Sequence, residues 1–374
     1  MSSLDHVIVV GASLAGLRAC ETLRQEGFDG TLTVVGAESE VPYDRPPLSK
    51  KLLAGEWEAD RIRLRKQEDF DSLALTLRLG VRAAALDTGA RTLTLADGDT
   101  LAFDGLIIAT GAAPRRLPEQ PALDGIVELR TLSDAMELRG RIADGTARVT
   151  VIGAGFIGLE VAATARTLGC AVTVLEGAPS PLIRGLGVEM GLAAASVHAR
   201  NGVDLRCGVQ VAGIEGSDGR VTGVRLGDGS LVESDVVLVG IGVAPATDWL
   251  AGSGLELRDG IVCDATLNAG VPGVYAAGDC ARWPNAIFDG FDDTEMRVEH
   301  WTNAAEQGAA AAANLLAVAR GEQPAPFVSV PFFWSDQFDS RIQFVGRAHG
   351  DDEVHVFAGS TDGAFAAQSA LVAV

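Results

Sequence analysis

The sequence lacks any long hydrophobic run. Its first apolar stretch, residues 7–10, is far too short for the core of a secretory signal peptide. The alanine-rich stretch 308–313 is followed by the polar Asn314, and it predicts a packed helix rather than a membrane span. We therefore expect a cytoplasmic protein that does not contact a membrane.

Cysteine motifs are also missing. The chain has five cysteines, and no two of them are arranged as C-x-x-C. Their scatter argues against a zinc site and against a redox-active disulfide, and it favours buried, reduced thiols. We therefore expect no metal site. The five are Cys20, Cys170, Cys207, Cys263 and Cys280.

Basic residues are outnumbered by acidic ones. Lys and Arg number 30 against 50 Asp and Glu, which gives a formal net charge of −20. Such a charge argues against general nucleic-acid binding and is typical of an acidic cytoplasmic enzyme. The 374 residues exceed one ordinary core and predict two or three domains.

Two glycine-rich segments, 7–16 (VIVVGASLAG) and 149–160 (VTVIGAGFIGLE), carry the strongest signal in the chain. Each has an apolar strand, a tight glycine turn and the start of a helix, the pattern that binds a dinucleotide pyrophosphate. The second is a complete G-x-G-x-x-G, whereas in the first Ser13 stands where the middle glycine is expected. Two such sites predict two dinucleotides held together, with a hydride passed between them.

The two fingerprints head two similarly ordered halves. Asp97-Gly98 and Asp228-Gly229 each lie between alternating apolar residues and predict hairpin turns. Each hairpin precedes an apolar strand that ends in glycine, over 105–111 and 235–242. The repeated order indicates an internal duplication, and it predicts an α/β fold with two Rossmann-like dinucleotide-binding domains.

Local patterns fill in further elements. Residues 4–10 and 31–36 predict parallel strands joined by a helix over 14–26. The proline-rich loop 42–50 (PYDRPPLSK) is predicted to be stiff, outside any sheet, and to present its final lysine to a site. A short strand over 273–279 runs into Gly-Asp, and the aromatic region after Gln323 predicts short strands of a small α+β domain.

Glu176 is predicted to select the nicotinamide cofactor. It ends an apolar strand 18 residues after Gly158, where an acidic residue binds the ribose 2′-hydroxyl of NAD and repels a 2′-phosphate. We therefore predict NADH over NADPH, although the nearby Arg184 leaves room for NADPH.

The chain resembles the FAD- and NADH-dependent ferredoxin reductases of bacterial oxygenase systems. The motifs that carry the resemblance extend over nearly the whole sequence, and the PPLSK and WSDQ segments narrow it most. They are RPPLSK at 45–50, ATG at 109–111, FIGLE at 156–160, AAGD at 276–279, WTNA at 301–304 and FWSDQ at 333–337.

The resemblance implies three domains. The FAD domain would be discontinuous, at 1–112 and 245–320, with the NAD domain inserted at 113–244. A small α+β C-terminal domain at 321–374 would cover the flavin. In this family the C-terminal domain usually continues into another strand and a helix, so we expect the ending after 368–371 to be truncated or divergent.

The resemblance and the fingerprints together predict two sets of binding residues. In the FAD set, the backbone near Ala83 and the Arg130 side chain would contact the adenosine half, and Asp279 would accept a hydrogen bond from the ribityl chain. The FAD set is Gly11, Ser13, Ala15, Gly16, Glu38, Arg45, Lys50, Ala83, Thr110, Gly111, Arg130, Gly278, Asp279, Trp301 and Trp334. The NAD set is Gly153, Gly155, Phe156, Ile157, Gly158, Glu160, Glu176, Arg184 and Gly242.

Alternatives remain open for Glu38 and Trp334 of the FAD set. Glu38 either binds the adenosine ribose or is a solvated surface residue. Trp301 is expected to open a helix with its backbone N–H near the flavin pyrimidine edge. Trp334 either lies near the flavin ring toward the electron exit or is a core aromatic of the C-terminal domain.

Lys50 and Glu160 are the predicted catalytic pair. In similar proteins this lysine lies near N5 of the flavin and pairs with the glutamate of the second fingerprint, and a cation there would stabilise the reduced flavin. The alternative is a solvated lysine beside Lys51, with Glu160 as a carboxylate favoured by the helix dipole.

The predicted activity is hydride transfer from NADH to FAD, followed by single-electron transfer to a [2Fe–2S] ferredoxin that serves a cytochrome P450 or a Rieske oxygenase. A rubredoxin reductase, an NADH oxidase and an NADH sensor of the apoptosis-inducing-factor type remain alternatives. Disulfide reductases are disfavoured because the redox cysteines are missing. The protein is expected to be a monomer or a weak homodimer, and two basic clusters, 61–66 and 115–116, are either docking sites or solvated faces.

Overall fold

The computed structural model describes residues 4–290, 294–348, 352–361, 363 and 365–370. The α-helices are α1 Leu14–Gln25, α2 Gln67–Ser72, α3 Leu132–Ile142, α4 Phe156–Thr167, α5 Ile183–Arg200 and α6 Trp301–Ala319. The strands of the first part of the chain are β1 His6–Val10, β2 Thr31–Gly36, β3 Thr76–Leu79, β4 Ala83–Asp87, β5 Thr92–Leu95, β6 Thr100–Ala102, β7 Gly105–Ile108, β8 Ala112–Pro114 and β9 Ile126–Val127.

The remaining strands follow the second fingerprint or belong to it. They are β10 Arg148–Ile152, β11 Ala171–Glu176, β12 Asp204–Cys207, β13 Val211–Ser217, β14 Arg220–Leu226, β15 Leu231–Glu233, β16 Val236–Val239, β17 Val243–Pro245, β18 Ile261–Val262, β19 Val274–Ala276, β20 Ala281–Pro284, β21 Glu295–Met296, β22 Phe332–Gln337, β23 Ser340–Val345, β24 Glu353–Gly359 and β25 Phe365–Ala370.

The chain forms two compact units. The first comprises Met1–Asp44, Ile62–Ala113 and Ala244–Phe333, and the second comprises Arg45–Arg61, Pro114–Val243 and Trp334–Val374. Each unit contains a five-stranded parallel sheet and an antiparallel three-stranded sheet. The duplication inferred from the two fingerprints therefore appears as two units of the same plan.

The parallel sheet of the first unit has the order β19-β7-β1-β2-β3. Strand β1 is central and pairs in parallel with β2 and β7, with Val9 opposite Val34 and Ile107. Its apolar residues are buried on both faces, as expected for a parallel strand between helices. Helices α1 and α6 pack against each other and against this sheet.

The parallel sheet of the second unit has the order β12-β11-β10-β16-β9. Strand β10 pairs with β11 and β16, and Val151 lies opposite Val174 and Leu238. Both predicted hairpins are confirmed. The Asp97-Gly98 turn joins β5 to β6, and the Asp228-Gly229 turn joins β14 to β15.

The units differ from the predicted segments in three places, and local contacts explain them. Trp334–Val374 groups with the second unit instead of forming a third, and there the Ser335 hydroxyl donates to Oε1 of Glu160. Residues 45–61 group with the second unit, where the Ser49 carbonyl accepts a hydrogen bond from Thr164 on α4. The first unit extends to Phe333, and the Phe332 carbonyl accepts a hydrogen bond from Thr302 on α6. Which unit binds FAD and which binds NAD stays a prediction.

The proline-rich loop differs from its prediction in one detail. Pro46–Ser49 forms a short 3-10 helix, in agreement with the expected exclusion from sheets. Tyr43, however, forms an isolated antiparallel bridge with Arg63. The Asp44 N–H donates to the Ile62 carbonyl at 2.7 Å and the Leu64 N–H donates to the Pro42 carbonyl at 3.1 Å, which is possible because proline keeps its carbonyl as an acceptor.

The described residues after Gln323 form strands β22–β25. Residues 349–351, 362, 364 and 371–374 of the predicted C-terminal domain lie outside the described residues. Within the described part of the chain, no helix is long and apolar enough to cross a membrane.

Candidate active site

The turn of the first fingerprint requires glycine at two positions. Gly11 has φ +124°, and a Cβ atom placed on it would lie 2.1 Å from the carbonyl oxygen of Ala109. A Cβ atom on Gly16 would lie 1.9 Å from the carbonyl oxygen of Gly11. The Gly11 N–H donates to the Val35 carbonyl at 2.8 Å, which ties the turn to β2. The backbone is therefore held open for a close ligand.

The start of α1 suits an anionic group. Ser13 occupies the N-cap, and among the described residues its side chain makes no capping hydrogen bond. The first helical turn contains no acidic residue. The helix N-terminus therefore has no local anion to neutralise it, and it fits a pyrophosphate.

The Gly278-Asp279 segment returns to this cradle, as the sequence predicted. A Cβ atom on Gly278 would lie 3.3 Å from that of Ala15. The Gly278 N–H donates to Oε1 of Gln307 at 2.8 Å, and no described residue partners the buried Nε2 of Gln307. A buried donor without a protein partner beside the cradle fits a bound polar ligand. Gln307 was not predicted from the sequence, because its burial on α6 is set by the fold.

Two residues of the proline-rich loop, Tyr43 and Asp44, form hydrogen bonds with residues of the predicted FAD set. The Tyr43 hydroxyl donates to the Glu38 carboxylate. The indole N–H of Trp301 donates to Oδ1 of Asp44 at 2.7 Å. The structure also confirms that Trp301 opens a helix, α6. Asp44 was not predicted, and only the fold brings it to Trp301.

The other predicted FAD residues of the first unit lie at element ends. Thr110 and Gly111 follow β7, and the Thr110 hydroxyl donates to the Ala246 carbonyl at 2.9 Å. Ala83 begins β4. The backbone carbonyl of Asp279 accepts a hydrogen bond from Arg297 at 3.0 Å.

The second fingerprint repeats the geometry of the first. Gly153 has φ +99°, and a Cβ atom on it would lie 2.5 Å from the carbonyl oxygen of Gly240. A Cβ atom on Gly158 would lie 2.4 Å from the Gly153 carbonyl oxygen. At Gly155, apart from its neighbours in its own chain segment, no described atom lies within 4 Å of such a Cβ atom. The space beside Gly155 fits an approaching phosphate.

Glu176 is held beside this turn. Its Oε2 accepts the Ala154 N–H at 2.7 Å, and its Oε1 accepts the Ala178 N–H at 2.8 Å. The carboxylate therefore fixes the backbone of the fingerprint. Each oxygen retains capacity for a further donor such as a ribose hydroxyl.

The remaining predicted NAD residues surround the same turn. The guanidinium of Arg184 lies 3.4 Å from a Cβ atom placed on Gly242. The Phe156 ring lies 3.1 Å from a Cβ atom placed on Gly185. Ile157 is 40% exposed at the start of α4. The fold thus gathers these residues around the start of α4.

Lys50 and Glu160 form an ion pair in the second unit. Lys50 Nζ lies 2.7 Å from Glu160 Oε2, and the Ser49 hydroxyl donates to the same oxygen. Glu160 is only 5% exposed, so it is a buried carboxylate with a cationic partner. The alternative of a solvated lysine does not match this geometry.

Besides Lys50, three predicted FAD residues fall within the second unit. The Arg45 guanidinium donates to the Arg130 carbonyl, and the Arg130 N–H donates to Oδ2 of Asp134 at 3.0 Å. Trp334 is a half-buried residue of β22. The contacts of these residues with a flavin stay predictions.

Several members of the basic clusters are occupied by local contacts. Arg65 pairs with Glu21 at 2.6 Å, and Arg116 pairs with Glu128 at 2.7 Å. The Arg61 guanidinium stacks over the Trp57 ring at 4.4 Å. These contacts reduce the charge that the clusters offer to a partner.

The cysteines have no features of a redox centre. All five lie among the described residues and are free thiols. Burial raises the pKa of Cys20 to about 12, and burial also raises the pKa of Cys170 and Cys280. Because the thiolate is the reactive form, these raised pKa values disfavour thiol reactivity at neutral pH.

Comparison with known proteins identifies the family. The family "Pyridine nucleotide-disulphide oxidoreductase" matches residues 5–308, and "Reductase C-terminal" matches residues 332–372. The chain is 39% identical over 357 residues to rhodocoxin reductase of Rhodococcus erythropolis, covering 95% of this chain and 81% of the relative. It is 38% identical over 364 residues to the ferredoxin–NAD(+) reductase component of the p-cumate 2,3-dioxygenase system of Pseudomonas putida, covering 95% and 86%.

A solved structure supports the same assignment. The reductase in the covalent putidaredoxin reductase–putidaredoxin complex superposes with a TM-score of 0.91 at 34% identity, covering 98% of this chain and 87% of that one. The predicted fold class and the predicted cofactors, FAD with a nicotinamide dinucleotide, are confirmed at the level of the family. The chain belongs to the pyridine nucleotide-disulphide oxidoreductase family, among the flavoprotein ferredoxin–NAD reductases.

Proposed function

We propose that the protein transfers electrons from NADH through FAD to a [2Fe–2S] ferredoxin of a cytochrome P450 or Rieske oxygenase system in the cytoplasm. The observation that carries the proposal is the pair of dinucleotide cradles in one chain whose five cysteines are free thiols. When bound, FAD accepts a hydride and releases electrons singly. The relative from Pseudomonas putida is the ferredoxin–NAD(+) reductase component of a p-cumate 2,3-dioxygenase system.

The chain's own residues would bind and orient the two cofactors. The N-terminus of α1 and the Gly11 turn would hold the pyrophosphate of FAD, and the N-terminus of α4 would hold that of NADH. Glu176 would accept a ribose hydroxyl and repel a 2′-phosphate, which makes NADH the preferred donor. Lys50, held by Glu160, would place a positive charge that favours the reduced flavin.

The partner and assembly state complete the proposal. The structural relative is a reductase in covalent complex with its ferredoxin, putidaredoxin. We propose the same class of partner here, and a monomer or a weak homodimer. Because the net charge is −20 and such ferredoxins are acidic, docking would depend on local cations that oppose the overall field.

The experiment is NADH-driven reduction of cytochrome c by the FAD-loaded protein, with and without a bacterial [2Fe–2S] ferredoxin. We expect a large ferredoxin-dependent increase, because the flavin alone is a poor donor to cytochrome c. Ferricyanide reduction without ferredoxin is the control for hydride transfer. Rapid ferricyanide reduction with no increase for several ferredoxins would overturn the assignment of the acceptor and would direct attention to oxygen, to rubredoxin or to sensing.

A further inference from the structure

Glu160 is a buried carboxylate that receives hydrogen bonds on both oxygens. Ser49 and Lys50 act on Oε2, as described above. The hydroxyl of Ser335 on β22 donates to Oε1 at 2.7 Å. Since Glu160 is 5% exposed, its charge depends on these donors rather than on water.

Ser335 is the first member of a buried relay of hydrogen-bonded polar groups, which continues through Gln337 and ends at His198. Nε2 of Gln337 donates to Ser335 Oγ at 3.0 Å. Oε1 of Gln337 lies 2.9 Å from Nε2 of His198, in the last turn of α5. Each of the three side chains is at most 2% exposed, and the Phe338 ring packs edge-on against the imidazole at 5.3 Å. The three side chains are therefore shielded from water.

The chemistry of these groups fixes the direction of donation. An amide oxygen only accepts, so His198 donates from Nε2 and is the neutral Nε2–H tautomer. An amide nitrogen only donates, so Ser335 accepts from Gln337 and keeps its own hydrogen for Glu160. Every hydrogen bond thus points toward the carboxylate and favours its ionised form.

Exchanging the oxygen and the nitrogen of the Gln337 amide would break this direction of donation. If Nε2 of Gln337 faced His198, the imidazole would accept at Nε2 and carry its hydrogen on Nδ1. No described residue partners Nδ1 of His198, so that hydrogen would be buried and unsatisfied. Burial also lowers the pKa of His198 below its usual value, which keeps the ring neutral. His198 therefore selects the orientation of the Gln337 amide.

We propose that His198, Gln337 and Ser335 are positioning residues that hold the Glu160 carboxylate aligned with Lys50. Their effect on the reaction passes through Glu160. The consequence for hydride transfer rests on the proposed function, in which Lys50 acts beside the flavin. The direction of the hydrogen bonds does not depend on that function.

The tautomer of His198 tests the relay without any assay of activity. We would label the FAD-loaded protein with 15N-histidine and assign the His198 signals with the His198→Gln variant. We expect a protonated Nε2 and an unprotonated Nδ1, unchanged through the pH range in which an exposed histidine titrates. An Nδ1–H tautomer, or titration like that of an exposed histidine, would overturn the proposal.

The rate of flavin reduction tests the effect on Glu160. In Ser335→Ala, we expect the limiting rate of flavin reduction by NADH to fall about tenfold, with the NADH concentration for half-saturation unchanged, because Glu160 loses a donor that aligns it with Lys50. The charged group that faces Glu160 among the described residues is Lys50. Ser335→Thr keeps the hydroxyl and should restore the limiting rate.

Ser234→Ala is the matched control. Ser234 is also fully buried in the second unit, and its hydroxyl lies 2.5 Å from that of Thr150, apart from the relay. It should leave the limiting rate in place. An equal fall in this control, or a wild-type limiting rate in Ser335→Ala, would overturn the proposal. Absence of flavin reduction in the wild-type protein would instead refute the proposed function, and the tautomer measurement would still decide the relay.

Discussion

At the scale of single residues, Glu176 does more than the sequence predicted. Its position at the end of β11 predicted contact with a ribose. The structure shows that both carboxylate oxygens already accept backbone N–H groups, from Ala154 and Ala178. Glu176 therefore fixes the shape of the phosphate cradle as well as offering acceptors to the ribose, so its loss should affect both binding and selectivity.

Replacing Glu176 with Ala should reduce the preference for NADH. We expect kcat/KM for NADH to fall roughly ten- to a hundredfold, because hydrogen bonds to a charged group are lost. The value for NADPH should fall less, since repulsion of the 2′-phosphate is also removed. Steady-state kinetics with both cofactors measures the ratio. Glu189→Ala, which removes an exposed carboxylate of α5, is the control, and an unchanged ratio in Glu176→Ala would refute the assignment.

At the scale of elements, the packing of α1 against α6 positions the first cradle. A Cβ atom on Gly308 of α6 would lie 2.2 Å from the carbonyl oxygen of Ala15 on α1. The same helix supplies Gln307, which accepts the Gly278 N–H. The close approach of the two helices thus brings the Gly-Asp turn to the start of α1. Gly308 makes this close approach possible.

Gly308→Ala should therefore damage the first cradle. We expect a loss of about 1–3 kcal/mol in the free energy of unfolding, since the added methyl group forces α1 and α6 apart. FAD retention should fall with it. Urea denaturation and flavin absorbance per chain after desalting measure the two effects.

Gly140→Ala in α3 is the control for this substitution. Outside its own helix, no described atom lies within 4 Å of a Cβ atom on Gly140. It should therefore stabilise the protein by about 0.5–1 kcal/mol through helix propensity. A Gly308→Ala protein as stable as Gly140→Ala would contradict the packing argument.

At the scale of the whole molecule, two units repeat one plan while their charged groups differ. Each has a parallel sheet, a glycine turn and a helix whose first turn contains no acidic residue. The first unit also contains a half-buried titratable group, His300, which occupies the N-cap position of α6 and whose ring is tilted against that of Phe333, with 5.1 Å between the ring centroids. Burial lowers the pKa of His300 to about 4.

Global stability should therefore fall as the pH decreases below about 6.5. A histidine with a lowered folded-state pKa binds more protons when unfolded, so its contribution is complete above the unfolded pKa of 6.5 and is lost as the pH falls toward about 4. We expect about 2 kcal/mol to be lost by about pH 5. Denaturant titrations at neutral and mildly acidic pH measure this loss.

The His300→Gln variant checks the source of the pH dependence. Its free energy of unfolding should change less between neutral pH and about pH 5, because glutamine does not titrate. The buried His198 contributes in the same direction and should account for part of the remaining slope. An identical slope in the variant would show that His300 is not responsible.

The sequence by itself determined the two cradles, because glycine spacing and the flanking apolar strands are local properties of the chain. Gly11 and Gly153 have the left-handed backbone that their turns require. The same local patterns gave α1, both hairpins and the duplicated order. The resemblance to a family also predicted Lys50 and Glu160 as partners.

Only the tertiary structure decided which distant side chains complete these sites. Asp44 at Trp301, Gln307 at Gly278, and Ser335 at Glu160 are each pairs far apart in the sequence. Such pairs are set by the packing of helices on sheets and leave no periodic signal in the chain. The buried relay to His198 is invisible for the same reason, because its residues acquire their roles only when packing removes water from them.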